Sequence, residues 1–230
     1  MRKKLIALTA VVTVVALAAS AAYAAVGVQF SSPFSPAKAN KSAGVTTSIV
    51  ASDPAAPQPP IMNRIQISFP KGGKWNGSKF TKCSLSALQS KGPKGCPGKS
   101  KLGTGTGVGY AKPVVTDPVQ AKLTLFNGGN SILVYAFPDL GPTFVTVCKI
   151  VGGYNLDCSI DPIKTLPSAP DASVGTVKTK VSAKVVKKKG KKIGMVVTPK
   201  KCKGTWKGSA TFSFATGEKV VTPTSQKCKK

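Results

Sequence analysis

Apolar and polar residues alternate with a period of two along much of the chain beyond Ile61. Ile65, Ile67 and Phe69 alternate with Gln66 and Ser68, and Val119, Ala121, Leu123 and Leu125 with Gln120, Lys122 and Thr124. Val177, Thr179, Val181, Ala183 and Val185 alternate with Lys178, Lys180, Ser182 and Lys184; Trp206, Ala210, Phe212 and Phe214 are set among Lys207, Ser209, Thr211 and Ser213. Successive side chains of a strand point to opposite faces, so each run predicts a half-buried strand. Ile132 to Phe137 is apolar in both registers and predicts a central strand covered on both sides. Turn-forming groups separate the runs: Asn127-Gly128-Gly129-Asn130, Asp139-Leu140-Gly141-Pro142, Gly152-Gly153 and Lys189-Gly190-Lys191. Only Ser84 to Gln89 reads as helix, capped by Ser84 and stopped by Gly92-Pro93. The expected fold is all-β, an antiparallel β-sandwich, immunoglobulin-like or similar, with disulfide-stapled hairpins, over residues 61–230.

The chain before that differs. Arg2, Lys3 and Lys4, the apolar run Leu5 to Ala19 and the ending Ala22-Tyr23-Ala24 have the three-part order of a cleaved signal peptide, residues 1–24. The uncharged run is short for a bilayer span of about 20 residues. Residues 25–60, rich in Ser, Ala and Pro, read as a flexible leader, with Val45 to Ser52 a candidate first strand. The expected location is therefore secreted, extracellular or wall-associated.

An exported chain meets an oxidising compartment, which gives its cysteines meaning. Cys83, Cys96, Cys148, Cys158, Cys202 and Cys228 are even in number and lie wholly in the exported part. Residues equidistant from a hairpin turn face one another. Cys148 and Cys158 are centred on Gly153; Cys202 and Cys228 are centred on Ala215, beside Thr216-Gly217. Cys83 with Cys96 follows by elimination.

Charge narrows the partners. Without residues 1–24 there remain 31 basic residues against seven acidic, a formal charge of +24. Such a surface favours anionic partners. Arg64 is the sole arginine of that portion, and the planar fork that reads guanine or phosphate bidentately is otherwise missing, so sequence-specific nucleic-acid recognition is disfavoured. Histidine is absent, which removes the usual general base and the commonest metal ligand. From Lys178 to Lys207 there are twelve lysines and no acid. Two readings are open: an edge protected from strand-to-strand aggregation, or an anion-binding face formed by Lys178, Lys180, Lys184, Lys187, Lys188, Lys189, Lys191 and Lys192. In the second, Val177, Val181, Val185 and Ile193 anchor the strands inward.

No motif for catalysis or a cofactor survives its context. Pro93 to Ser100 ends like a phosphate-binding loop but has proline at the required glycine and no following helix. Gly103, Gly105, Gly107 and Gly109 lack dinucleotide spacing and suggest a strand with one bare face, approached by another backbone. Ser35-Pro36-Ala37-Lys38 fits S-x-x-K without its companion motifs. Among the acids, Asp157 and Asp161 are the candidate neighbours for a two-carboxylate hydrolase.

Ser68-Phe69-Pro70-Lys71-Gly72, Cys83, Cys96-Pro97, Ser100-Lys101-Leu102-Gly103-Thr104-Gly105 and the ending Thr198-Pro199-Lys200-Lys201-Cys202, Trp206, Phe212-Ser213-Phe214, Gly217, Cys228 form a pattern. It resembles a group of secreted cysteine-containing β-proteins of high-GC Gram-positive (actinobacterial) bacteria, with a Cys-Pro loop and a terminal Thr-Pro…Cys…Trp…Cys hairpin. The resemblance implies an extracellular β-protein and brings no catalytic residue. The expectation is thus a non-catalytic secreted or cell-envelope protein, without a cofactor, whose lysine-rich face contacts an anionic cell-wall polymer or acidic polysaccharide. The alternatives are an aspartate-using extracellular hydrolase and a small-ligand or lipid carrier, the last requiring an apolar cavity between the sheets.

Overall fold

A computed structural model describes residues 26–164 and 170–230; the expected signal peptide, residues 1–24, lies outside them. The strands are β1 (Gly27–Ser31), β2 (Phe34–Ser35), β3 (Gly44–Ser52), β4 (Met62–Ser68), β5 (Lys74–Trp75), β6 (Lys101–Ala111), β7 (Val115–Asn127) and β8 (Ser131–Pro138). They continue with β9 (Phe144–Val151), β10 (Asn155–Ser159), β11 (Ser173–Val181), β12 (Val185–Lys188), β13 (Lys191–Gly194), β14 (Val196–Val197), β15 (Thr205–Phe214) and β16 (Lys219–Lys227). The one α-helix described, α1 (Leu85–Lys91), begins where Ser84 Oγ accepts from the Ala87 amide at 3.2 Å and ends at Gly92, whose positive φ suits glycine.

The main sheet runs β1-β3-β11-β6-β7-β8-β9-β10-β4-β15-β16, with β2 attached to β3. Its strand pairs are antiparallel, and its two edges return to one another. Thr222 Oγ1 donates to the Val28 carbonyl at 2.9 Å, Gln226 Oε1 accepts from the Phe34 amide at 2.8 Å, and Gln226 Nε2 donates to the Phe34 carbonyl at 2.7 Å. Just beyond, the Lys229 amide donates to Ala37 O at 2.8 Å. The architecture is a near-closed, barrel-like sheet, which corrects the expected sandwich. Period-two alternation identifies an inward face and carries no information on whether a sheet doubles into two layers or curls round to meet itself.

Residues 25–60 also depart from the expected leader. β1, β2 and β3 are part of the main sheet, and Phe30, Phe34, Val45, Ile49 and Ala51 are buried. Pro33 stands in the link between β1 and β2 and Pro36 directly follows β2, so the prolines that suggested a linker punctuate very short strands.

One side of the interior is filled by aromatic rings: Phe30 lies 6.0 Å from Phe212 and Phe34 5.9 Å from Trp206, both edge-on, with Phe34 5.7 Å from Phe69. β8 is covered on both faces from Ile132 to Ala136, whereas Phe137, expected to be covered as well, is 53% exposed at the strand's end. Ile132 and Ala136 belong to the main core, while Leu133 packs outward with Cys83, Leu88 of α1 and Phe126. Gly103 and Gly105 are bare because β11 lies against them: a Cβ on either would overlap the carbonyl oxygen of Lys180 or Lys178.

The three disulfides join Cys83 to Cys96, Cys148 to Cys158 and Cys202 to Cys228, the pairs inferred above. Cys148 and Cys158 are opposed in the β9–β10 register. In the last hairpin Ser213 faces Lys219, which centres it on Thr216, one residue beyond Ala215. Cys202 and Cys228 lie just outside β15 and β16 and close the hairpin's open end.

Candidate functional site

The strand order gives the barrel two unlike ends. At one, the short ribbon of β5 and β14 is a cap. Trp75 Nε1 donates to Gly129 O in the β7–β8 turn at 2.7 Å, the Trp75 amide donates to Gly153 O in the β9–β10 turn at 2.9 Å, and Ala43 N donates to Val196 O at 3.1 Å. Those partners stand on opposite walls, so the ribbon spans the end. Thr198 fixes it further, its hydroxyl donating to Lys38 O at 2.6 Å and accepting from the Lys41 amide at 3.0 Å. Buried Asn127 anchors the incoming loop by donating to Gly77 O at 2.9 Å and Thr81 O at 2.8 Å. The other end, the mouth, is formed by the turns after β6, β8 and β15, by the β3–β4 connection and by residues 160–164 and 170–172 between β10 and β11.

Charge is divided between these ends. The connections that start and finish at the cap carry 20 lysines: two between β2 and β3, seven between β4 and β6, nine between β11 and β15, and two after β16. They contain no acidic residue. Asp53, Asp117, Asp139, Asp161, Asp171 and Glu218, six of the seven acids of the chain, belong to the mouth, where the basic residues are Lys112, Lys164 and Lys219. The seventh, Asp157, lies on the wall in a two-pronged pair with Arg64, at 2.8 Å from Nε to Oδ1 and 2.6 Å from Nη2 to Oδ2. That guanidinium's hydrogen bonds hold Asp157 below the usual carboxylate range, and the carboxylate raises Arg64 in return.

The expected lysine face is divided rather than continuous. Lys178 and Lys180 project outward from β11, their register partners being Ser48 and Thr46 on one side and Thr106 and Thr104 on the other. β11 then stops at Val181. Lys184 is half-buried, its Nζ donating to Lys99 O at 3.3 Å. Val185, expected inside, is 53% exposed, because β12 leaves the barrel and pairs only with β13. Lys187, Lys188, Lys189, Lys191 and Lys192 are exposed on that separate hairpin, whose turn places both Lys189 and Gly190 at positive φ. The sequence period persists through Ala183 and Val185 although the strand does not, so alternation alone overran its end.

Next to the aromatic cluster, with Phe34 and Phe69 in its lining, lies an apolar cavity of about 230 Å³. It is lined by residues of β3, β4 and β6 to β11, by Trp75 and the β14 valines at the cap, and by Leu140, Pro142 and Ile163 at the mouth. Leu140 is 40% exposed, so the apolar lining reaches the surface there. The charged residues of the lining are Lys74 at the cap and Lys164 at the mouth. Lys164 Nζ is 2.6 Å from Asp171 Oδ1. Two causes leave this space. An eleven-strand path encloses more room than the interior that side chains fill in an eight-strand barrel, and β6 contributes Gly107 and Gly109 where other strands contribute side chains. By sequence all four β6 glycines belong to one bare, closely approached face. Gly107 differs, since a Cβ there would meet its neighbours only at 3.7 Å or more.

Among the described residues there is no group of three or more His, Cys, Asp or Glu side chains placed to hold a metal ion, and no helix long and apolar enough to cross a membrane. The candidate carboxylate pair gains no cleft: Asp157 is engaged by Arg64 and neither it nor Asp161 lines the cavity. No family model matches the chain, and no curated protein or solved structure matches it either.

Proposed function

We propose that this is a non-catalytic, secreted or envelope-associated protein whose lysine-bearing cap contacts anionic wall polymer or acidic polysaccharide. The observation that supports the reading is the division of charge: 20 lysines on cap-side connections, without one acidic side chain among them. A solubilising surface needs its charges dispersed, and aggregation-proofing of an edge needs few. Here the fields of one sign add along one end, while the acids gather at the other. The three disulfides suit an oxidising compartment.

Screening sets the character of the contact. Exposed charges act over about 8 Å at physiological salt, so attachment to a polyanion is multivalent and salt-sensitive. Co-sedimentation with purified cell walls and with teichoic-type polymer, at low and high ionic strength, tests it. Retention at low salt and release at high salt is the expected outcome. Equal retention on a neutral polysaccharide, or none on the anionic one at low salt, would discard the reading.

A further inference from the structure

The cavity calls for an account separate from the charged cap. We infer that it is a binding site for one linear acyl chain, with the carboxylate at the mouth beside Lys164 and the chain directed toward Trp75. The inference goes beyond polymer contact and rests on shape, lining and entry.

Shape favours a chain over a compact ring. Val174 and Val181 of β11 both line the space, seven residues apart. At about 3.3 Å per residue, with the tilt usual for barrel strands, that corresponds to roughly 18 Å along the axis. A volume of about 230 Å³ distributed over that length is a narrow slot. For comparison, an apolar cavity of about 150 Å³ stays dry and takes up benzene.

The lining selects the chemistry. Its walls are mainly Val, Ile, Leu and Ala with two bare β6 glycines, the hydroxyls of Thr47, Thr146, Thr176 and Thr179 are set among them, and no carboxylate lines it. At the mouth, Lys164 is ion-paired with Asp171, whose buried Oδ1 has no hydrogen-bond partner among the described residues, so the three ammonium donors are not committed to it. Ser173, also at the mouth, is wholly buried and its hydroxyl has no hydrogen-bond partner among the described residues. A carboxylate supplies acceptors to both groups. The way in is apolar and exposed at Leu140, which lines the cavity and is 40% exposed, beside Pro138 and Pro142.

Calorimetric titration of the disulfide-intact protein with octanoate, decanoate, dodecanoate and decanol is the test. One site per chain is expected, tightening about four-fold for each added methylene, the gain from burying one CH₂, until the slot is full. Lys164→Gln should weaken decanoate about three-fold, as for an exposed ion pair, and leave decanol unchanged. Gly107→Leu should abolish binding of both while leaving the circular dichroism spectrum intact. If that variant does not fold, Ala121→Leu fills the same slot from β7. Uptake that never saturates at one per chain, that is indifferent to these substitutions, or that requires charge and ignores chain length is adsorption to surface lysines, and overturns the inference. Wall sedimentation is independent of all these readouts, so either reading can fail alone.

Discussion

The Thr222 hydroxyl donates to the carbonyl of Val28 at 2.9 Å, and through that bond the last strand of the sheet reaches the first. Ladder pairing takes the sheet from β1 to β16, and the ring is completed by side chains, with Gln226 holding both backbone groups of Phe34, and by the backbone bridge of Lys229 to Ala37 and Ala39. The seam is therefore the part of the barrel most sensitive to single side chains. Thr222→Val should cost about 1 kcal/mol and Gln226→Ala about 2 kcal/mol, one net hydrogen bond against two. Urea unfolding measures the loss. Hydrogen exchange should show faster exchange in β1 and β16 than in β8, which has a partner on each side.

The β6 glycines separate into two kinds, and substitution distinguishes them. Gly103→Ala and Gly105→Ala should destabilise by several kcal/mol, because the new Cβ overlaps a β11 carbonyl and the ladder has to part. Gly107→Ala meets nothing closer than 3.7 Å and should be neutral or stabilising by about 0.5–1 kcal/mol, the entropy a glycine loses in a strand. Equal losses at all three positions in urea melts would contradict the assignment of Gly107 to a cavity wall.

Acid titration offers a local check on the wall. Asp157 has its pKa lowered in the folded state, first by the hydrogen bonds from Arg64. A depressed folded pKa means that the pair's contribution is present above the ordinary carboxylate pKa and is lost as pH falls through the lower, folded value. In Arg64→Gln the Asp157 carboxyl should titrate at higher pH than in the parent, as read by carbon NMR of the labelled side chain. An unchanged titration would mean that the Arg64 contact does not persist in solution.

Removing the disulfides should rank by loop length. By loop entropy, replacing Cys202 and Cys228, 26 residues apart, costs about 3.5 kcal/mol, and replacing Cys148 and Cys158, ten apart, about 2.7 kcal/mol. The second pair also belongs to the core beside the cavity, so Ala at both positions loses packing as well. Thermal unfolding of the two double variants under non-reducing conditions compares them.

What could be read from residues alone was local. Trp206, Ala210, Phe212 and Phe214 are buried as their alternation requires, Cys148 faces Cys158 as the Gly152-Gly153 turn requires, and Ser84 caps α1. The closure of the sheet was not legible, since it depends on Thr222 and Gln226 meeting residues 194 and 192 positions away, with no periodic trace of either contact. The leader misled because two-residue β2 and five-residue β1 are too short to show a period, and their prolines resemble a linker's. The charge division was invisible for a related reason. Lysines in four separate stretches fall on cap-side connections only once β5, β11 and the C-terminus are known to meet there, those around α1 lying against the outer face of β8 and β9.

That convergence gives the last prediction, which sets cap against wall at equal charge. Lys122, Lys178 and Lys180 are exposed on the outer wall, where Lys178 and Lys122 both flank Thr106 of β6. Two strand spacings put Lys122 about 9.6 Å from Lys178, beyond the screening length of about 8 Å, so in this trio only Lys178 and Lys180, about 6.6 Å apart on one strand, reinforce each other. Lys200, Lys201 and Lys203 are exposed within four residues of each other beside the Cys202–Cys228 link and the C-terminal Lys229 and Lys230. Changing either trio to Gln removes three charges, and neither trio is buried, so both variants should fold. The cap variant should bind anionic wall polymer at least about ten-fold more weakly and with a shallower salt dependence, whereas the wall variant should stay within about two-fold of the parent, as screening requires. Sedimentation at several salt concentrations measures both. If the two trios weaken binding equally, the protein responds only to net charge, and the segregation of its lysines at the cap has no part in holding the polymer.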